Sequence, residues 1–215
     1  MKNIRNIIFD LGGVVISLDR NRAVRALEKL GMSDVDSLLD LYEQRGPFLL
    51  LETGKIDTAE LFDLLLPECK PGTTATQLRD AFESFLIEIP SGRLETIMRL
   101  REKGYRIFVL SNTNPLMYNH WIAREFQRDG LTINDYFDGI VTSFEEGICK
   151  PDPEIFRKLT RRYGLDPQET LMLDDSAANC RAAESVGLNV LQVMPSGKNS
   201  FEDICQQLLN KTDNE

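Results

Sequence analysis

Hydrophobic residues recur along this chain in two different patterns, and the change from one pattern to the other divides it. Short runs of consecutive apolar residues, bounded by glycine or polar residues, are typical of buried strands. Such runs predict strands over residues 5–10, 105–110, 140–142, 170–173 and 189–193. Helical spacing, as in Leu94, Ile97 and Leu100, fills the segments between the later strands. This alternation predicts an α/β fold in which a parallel sheet carries helices on both faces.

Between the first two predicted strands the pattern is helical only. From about residue 21 to residue 89, apolar residues recur at helical spacing, and no part of the segment is typical of a strand. We therefore expect an all-helical domain inserted after the first strand, entered near Leu18 and left near Pro90. The predicted domains are an α/β core formed by residues 1–17 and 91–215 and a helical domain over residues 18–90.

Composition and charge narrow the class of protein. The 25 basic and 34 acidic residues give a net charge of −9, which argues against a surface for nucleic acid or anionic membranes. No apolar run approaches the roughly 20 residues that a membrane span requires. The chain has 4 cysteines, none of them in a CxxC pair, and its N-terminus lacks a signal-peptide pattern. We expect reduced thiols in a cytoplasmic protein.

A carboxylate stands at the end of the first predicted strand. Asp10 closes the apolar run and is followed by Leu11, Gly12 and Gly13. Open α/β sheets bind their ligands at the carboxyl ends of their strands, and glycines allow a sharp change of chain direction there. Asp10 is therefore a candidate functional residue, although an aspartate can also simply end a strand beside a turn.

Polar residues follow later strands as well. Ser111, Asn112 and Thr113 come after the second strand, where hydroxyl and amide donors at a helix N-terminus suit an anion such as phosphate. Plain helix capping by the same residues is the alternative. Lys150 lies in a loop stiffened by two prolines, and a lone lysine can also be an ordinary surface residue.

Two adjacent carboxylates, Asp174 and Asp175, end the fourth predicted strand. Neighbouring carboxylates repel each other, and burying them is costly unless a cation or hydrogen-bond donors neutralise them. Oxygen ligands suit a hard divalent ion such as Mg²⁺, so the pair predicts a metal site. Alternatively, Asp174 caps the following helix and Asp175 is solvated.

Taken in order, these residues resemble the motifs of the haloacid dehalogenase-like hydrolase superfamily, and the resemblance covers essentially the whole chain. The matching stretches are Asp10-Leu11-Gly12-Gly13-Val14, Ser111-Asn112, Lys150-Pro151-Asp152-Pro153 and Leu173-Asp174-Asp175-Ser176. The helical insertion is similar to that superfamily's small cap, so the resemblance implies a Rossmann-like doubly wound core. Within the superfamily, the chain resembles the sugar-phosphate phosphatases of the α-glucose-1-phosphatase type. It shares with them Ser-Asn-Thr-Asn and an Asn179 beyond the acidic pair.

The resemblance implies a role for each of these residues. Asp10 would be the nucleophile that forms an aspartyl-phosphate, and Lys150 would neutralise Asp10 and the phosphate. Ser111 and the backbone amide of Asn112 would bind phosphoryl oxygens. Mg²⁺ would be held by Asp10, the backbone carbonyl of Gly12, and Asp175 with Asp174 beside it. The substrate would be a small phosphorylated metabolite, such as a sugar phosphate.

One position departs from the superfamily's pattern. Its phosphatases usually carry a second aspartate two residues after the nucleophile, as a general acid and base, and here that residue is Gly12. General acid–base catalysis is worth roughly 10²–10⁴-fold, so we expect a slow or narrow phosphatase that favours sugar 1-phosphates or activated esters. Asp19 is one candidate for a substitute proton donor. In the helical insertion, the polar residues that could face a substrate are Arg22, Arg25, Arg45 and Lys55, and for each of them a solvated helix face is the favoured alternative.

Two other functions stay open from the sequence. A carbon–halogen hydrolase would use Asp10 to attack carbon, but it needs no metal and leaves the pair of Asp174 and Asp175 without a purpose. A non-catalytic or weakly active binding protein would explain Gly12, although it does not explain why Asp10, Lys150 and the acidic pair are present.

Overall fold

The computed structural model describes residues 4–127 and 130–211. The polar tail over 211–215, which the sequence predicts to fray, therefore lies outside the described residues except for Lys211.

Within the described residues, seven strands form one large sheet and one small two-stranded ribbon. They are β1 (Asn6–Phe9), β2 (Ser17–Leu18), β3 (Leu86–Glu88), β4 (Arg106–Ser111), β5 (Gly139–Thr142), β6 (Thr170–Asp174) and β7 (Asn189–Gln192). The large sheet is parallel in the order β5-β4-β1-β6-β7, and β1 at its centre is buried along its whole length. The five predicted strands are all present, with bounds within one or two residues, and the predicted α/β fold is confirmed.

Helices connect these strands and cover both faces of the large sheet. They are α1 (Arg20–Lys29), α2 (Val35–Leu38), α3 (Gly46–Glu52), α4 (Thr58–Leu65), α5 (Ala75–Glu83), α6 (Arg93–Glu102), α7 (Pro115–Met117), α8 (Ala123–Phe126), α9 (Ile133–Tyr136), α10 (Ser143–Glu146), α11 (Pro153–Tyr163), α12 (Ala177–Ser185) and α13 (Phe201–Asn210). A π-helical turn, Tyr118–Ile122, joins α7 to α8, and Pro115 begins α7 as its fixed φ favours. No helix of the described residues is long and apolar enough to cross a membrane.

The insertion after β1 differs from the sequence prediction in one respect. Helices α1 to α5 fill it, but Leu86–Glu88 is a strand, β3, which pairs antiparallel with β2. The prediction that no strand occurs between residues 21 and 89 is therefore wrong. A strand of three residues shows no period of its own, and its partner lies far back in the chain. The chain enters the insertion through β2 and leaves it through β3. The division into domains at 17/18 and 90/91 stays a prediction.

The parallel arrangement positions the candidate residues. Because β1, β4 and β6 run side by side in the same direction, their carboxyl ends meet at one edge of the sheet. Asp10 directly follows β1, while Ser111 and Asp174 are the last residues of β4 and β6. Helices α1 to α5 lie in the connection that leaves this same edge.

Candidate active site

One cavity at the carboxyl edge of the sheet brings the candidate residues together. It is lined by Asp10, Gly12, Ser111, Asn112, Lys150 and Asp175. Asp174 is fully buried and contacts this group from behind. The residues that the sequence selects one by one thus form a single cluster, although their roles in it stay predictions.

Lys150 is the centre of the cluster. Its Nζ lies 2.8 Å from Asp10 Oδ2 and 2.8 Å from Asp174 Oδ2, and it donates to the carbonyl oxygen of Leu110 at 3.0 Å. Its three donors therefore have three acceptors. Burial lowers the pKa of Lys150, but the carboxylates of Asp10 and Asp174 outweigh burial and hold the pKa above its usual value. The ammonium stays charged at neutral pH and is fixed in place.

The Asn112 side chain holds the backbone of Lys150. Its Nδ2 donates to the Lys150 carbonyl at 2.9 Å, and its Oδ1 accepts from the Lys150 N–H at 2.8 Å. This two-point contact joins the end of β4 to the loop before α11, across 38 residues of sequence. The sequence-based prediction concerned only the backbone amide of Asn112, so the structure adds a positioning function for its side chain. Ser111 Oγ donates only a long hydrogen bond of 3.4 Å, to the carbonyl of Asn112.

Asp174 has hydrogen-bond donors on both of its carboxylate oxygens. Oδ1 accepts from the Ser176 N–H at 2.9 Å and from Asn179 Nδ2 at 3.0 Å, and Oδ2 accepts from Lys150. Asn179 thus contacts Asp174 from the first turn of α12. With these donors satisfying it, a fully buried carboxylate is tolerated, and Asp174 serves to orient Lys150.

Asp175 packs directly against the turn after β1. Gly13 has a φ of +72°, and a Cβ at that position would lie 2.1 Å from Asp175 Oδ2. Glycine is therefore required twice, for its backbone conformation and for the space that the carboxylate occupies. Burial, and next the charge of Asp174, raise the pKa of Asp175 to about 6.

The donor set fits a divalent cation. Asp10, Asp174 and Asp175 each offer an oxygen, and these oxygens all lie within 4.8 Å of one another. Three carboxylates against one ammonium leave two negative charges uncompensated in a buried site. Burial raises the pKa of Asp10 well above its usual value, and the neighbouring carboxylates add to that effect against the opposing charge of Lys150. A hard ion with two positive charges and oxygen preference, such as Mg²⁺, balances this site.

We expect Gly13→Ala to impair both stability and ion binding. The added methyl group must displace the Asp175 carboxylate, so the free energy of unfolding should fall by about 1–3 kcal/mol. Thermal unfolding with and without MgCl₂ measures this, and the variant should lose the Mg²⁺-dependent rise in Tm. Gly164→Ala is the matched control, because Gly164 also has a positive φ, +60°, but open space around its Cβ position. If the two variants respond to Mg²⁺ alike, the proposed place of Asp175 beside Gly13 in the ion site is wrong.

The insertion supplies the other wall of the cavity. Tyr42, Gln44 and Glu52 are its polar members there, and Leu39 and Phe82 are among the apolar ones. Burial raises the pKa of Asp175, and the nearby Tyr42 hydroxyl acts against that effect. None of the four basic residues that the sequence singled out in the insertion lines this cavity: Arg22, Arg25, Arg45 and Lys55.

Glu52 is the residue that sequence reasoning missed. It is the last residue of α3, where Phe48, Leu51 and Glu52 share the buried face. A glutamate at an apolar position of an amphipathic helix is unusual, and that was the available signal. Burial raises its pKa to about 7, against the opposing effects of Cys149 and Lys150.

The structure also bears on the missing second aspartate and on its proposed substitute. A Cβ at Gly12 would lie 3.0 Å from Leu18 Cδ1, so the apolar side chain of Leu18 takes the space beside this position. Asp19, in contrast, caps α1 by accepting from the Arg22 N–H, and it does not line the cavity. The structure thus supports helix capping as the function of Asp19.

Comparisons with known proteins agree with this geometry. The family model for haloacid dehalogenase-like hydrolases matches residues 4–187. A D-ribitol-5-phosphate phosphatase of Bacteroides thetaiotaomicron is 38% identical over 189 residues, which cover 88% of this chain and 91% of that protein. Among solved structures, a family enzyme from the same organism, in complex with magnesium and inorganic phosphate, aligns with a TM-score of 0.83 at 34% identity. That alignment covers 91% of this chain and 96% of the other.

A further structural relative extends the match to nearly the whole chain. A protein from Porphyromonas gingivalis, described as a predicted hydrolase of the haloacid dehalogenase-like family, aligns with a TM-score of 0.86 at 34% identity, covering 98% of this chain and 100% of that one. The parallel sheet with an acidic, cation-compatible site at its carboxyl edge is that of a hydrolase with a Rossmann-like fold. This chain belongs to the haloacid dehalogenase-like hydrolase family.

Proposed function

We propose that this enzyme is a Mg²⁺-dependent phosphatase that hydrolyses the phosphate ester of a small sugar or polyol through an aspartyl-phosphate on Asp10. The observation that carries the proposal is the Asp10 carboxylate at the end of β1. It is held 2.8 Å from a buried lysine and beside two further carboxylates. A relative of 38% identity that acts on D-ribitol 5-phosphate supports a polyol or sugar phosphate as substrate.

The chain's own residues orient the nucleophile. Asp10 Oδ1 accepts from the Leu11 N–H at 2.7 Å, and Oδ2 contacts the Lys150 ammonium. Both oxygens are thus fixed before the substrate arrives, which reduces the entropic cost of reaching the transition state. Asp10 attacks phosphorus, the ester oxygen leaves as the alcohol, and water then hydrolyses the acyl phosphate.

Lys150 and Ser111 face the place where phosphate would bind. The ammonium stabilises the negative charge of the phosphoryl group while it moves to Asp10. Ser111 Oγ, whose own hydrogen bond is long, can donate to a phosphoryl oxygen, together with the backbone amide of Asn112. The Asn112 side chain holds the Lys150 backbone beside the Ser111 hydroxyl and the Asn112 backbone amide.

The metal would be held by Asp10, the backbone carbonyl of Gly12, and Asp175 with Asp174 beside it. When bound, Mg²⁺ supplies positive charge that lets a carboxylate approach an anionic ester and that offsets charge in the transition state. Because Gly12 cannot transfer a proton, we propose slow or narrow turnover that favours sugar 1-phosphates or activated esters.

We further propose a cytoplasmic setting and a monomeric or homodimeric state. The cysteine side chains support the first part, because all four are free thiols in the structure. Free thiols persist in reducing compartments. The net charge of −9 argues against nucleic acid or an anionic membrane as a partner.

The test is phosphate release from a panel of esters, measured with MgCl₂ and with EDTA. The panel comprises D-ribitol 5-phosphate, glucose 1-phosphate, glyceraldehyde 3-phosphate and p-nitrophenyl phosphate. We expect turnover of one or more esters with Mg²⁺ and its loss in EDTA, restored by added MgCl₂. Folded protein that releases no phosphate from any ester would instead favour the binding-protein alternative.

A further inference from the structure

The cavity contains a carboxyl group that the proposed function leaves unused, and it comes from the insertion. Glu52 is 6% exposed and lines the same cavity as Asp10 and Lys150. Its place is fixed by the turn that follows α3. A Cβ on Gly54 would lie 2.1 Å from the carbonyl oxygen of Phe144 in α10, so this turn rests directly on the core.

The partners of Glu52 leave one of its oxygens available. Cys149 Sγ donates to Oε1 at 3.6 Å, which is a weak hydrogen bond, and none of the described residues donates to Oε2. Every fully buried polar side-chain atom of the described residues has a partner. Because Oε2 has no such partner, it is not fully buried, and since Glu52 lines the cavity, we infer that Oε2 is accessible to a group bound there.

The surroundings of Glu52 favour its protonated form near neutral pH. The titratable groups that face it are the Cys149 thiol and the Lys150 ammonium, and Asp10, Asp175 and Tyr42 line the rest of the cavity. Burial raises the pKa of Glu52 to about 7, and burial also raises that of Cys149 to about 12, so the thiol stays neutral. A carboxylic acid, unlike a carboxylate, can lie beside an anionic phosphate ester without repulsion and can donate a proton to it.

Gly12 leaves the site without a proton donor on the turn after β1, and Leu18 occupies the adjoining space. We propose that Glu52 is the general acid and base of this enzyme, acting from the insertion in place of the absent aspartate. The proposal rests on the phosphatase function proposed above.

The proton balance of the two steps is complete. As Asp10 forms its bond to phosphorus, the P–O bond to the leaving group breaks, and its electron pair goes to the ester oxygen. The Glu52 carboxyl proton moves to that oxygen, so an alcohol leaves and Glu52 becomes a carboxylate. In the second step Glu52 takes a proton from the water that attacks phosphorus, which regenerates the acid and frees Asp10.

The experiment compares two leaving groups in kcat/KM, which reports the steps up to release of the first product. p-Nitrophenolate leaves without protonation, whereas the alkoxide of D-ribitol 5-phosphate, or of the fastest alkyl ester in the panel, needs a proton. We expect Glu52→Gln to lower kcat/KM for the alkyl ester by about 10²–10⁴-fold and to leave p-nitrophenyl phosphate nearly unchanged. Retained turnover of p-nitrophenyl phosphate also shows that the variant is folded.

The pH profile supplies a second readout. A general acid acts in its protonated form, so kcat/KM of the wild type for the alkyl ester should fall as the pH rises through about 7. Glu52→Gln should lack this limb. A role of Glu52 in substrate binding alone would raise KM and keep kcat for both esters, and that result would overturn the proposal.

Glu83→Gln is the matched control. Glu83 is also a buried glutamate of the insertion, but it contacts Nδ1 of His120 at 2.7 Å and does not line the cavity. It should change neither ester's turnover. Equal losses on both esters in Glu52→Gln, no loss on either, or the same selective loss in Glu83→Gln would overturn the proposal. Wild-type protein that hydrolyses neither ester would contradict the phosphatase function itself, and this proposal with it.

Discussion

Asp10→Asn is expected to lower phosphate release from every ester of the panel by at least about 10⁴-fold, because an amide cannot form the acyl phosphate. The change removes one negative charge and keeps the shape of the side chain. The Leu11 N–H and the Lys150 ammonium contact different oxygens of Asp10, so the amide keeps one of these two contacts. Because the shape and one contact are kept, we expect the variant to fold, and because the nucleophile is lost, we expect it to be inactive.

The measurement has two parts. Steady-state phosphate release gives the loss of turnover, and acid quenching with ³²P-labelled substrate tests for a phosphoryl group on the protein. Wild type should retain label and Asp10→Asn should not.

Asp19→Asn is the matched control, since Asp19 caps α1 away from the cavity and asparagine caps a helix equally well. Substantial turnover by folded Asp10→Asn would show that another residue is the nucleophile. A changed pH–rate profile in Asp19→Asn would return Asp19 to consideration as a proton donor.

Lys150→Met is expected to be the most destabilising change in the site. Removing the ammonium leaves two buried carboxylates, Asp10 and Asp174, without their common cation. Breaking a buried ion pair from one side costs about 3–5 kcal/mol, because the remaining charge is uncompensated. Turnover should be lost as well, since the same ammonium would balance the phosphoryl group.

Denaturant unfolding gives this free energy, and Lys158→Met is the matched control. Lys158 contacts Glu146 at 3.0 Å, but its side chain is 33% exposed, so its loss should cost less than about 1 kcal/mol. The double variant Lys150→Met with Asp174→Asn should be more stable than the sum of the two single changes predicts, because each removes the other's unpaired charge. Similar losses for Lys150→Met and Lys158→Met would mean that the buried cluster does not depend on its lysine.

Much of the site follows from the sequence because of one geometrical fact. In a parallel sheet every strand ends at the same edge, so polar residues that follow separate apolar runs must come close together. Asp10, Ser111 and Asp174 lie far apart in sequence, yet β1, β4 and β6 are neighbours. The order of these residues, with Lys150, is also what made the family recognisable.

The side-chain contacts were beyond the sequence, because each depends on a distant partner. The sequence predicts that Asn112 binds an anion, and only the folded chain shows that its side-chain amide lies against the Lys150 backbone. β3 is too short to show a period and exists through its pairing with β2. The charge of the four basic residues of the insertion does not show whether they face a substrate or solvent, because a solvated helix face carries the same residues.

The sequence by itself determined the α/β fold, the helical nature of most of the insertion and the cluster at the sheet edge, because these depend on local periodicity and on strand direction. The tertiary structure decided which side chains of the insertion enter the cavity. Glu52 meets Cys149 across 97 residues of sequence, and that contact depends on how α3 and the Gly54 turn pack on the core. Helical spacing shows which face of α3 is buried, but only packing shows that Glu52 on that face lines the cavity with Asp10 and Lys150.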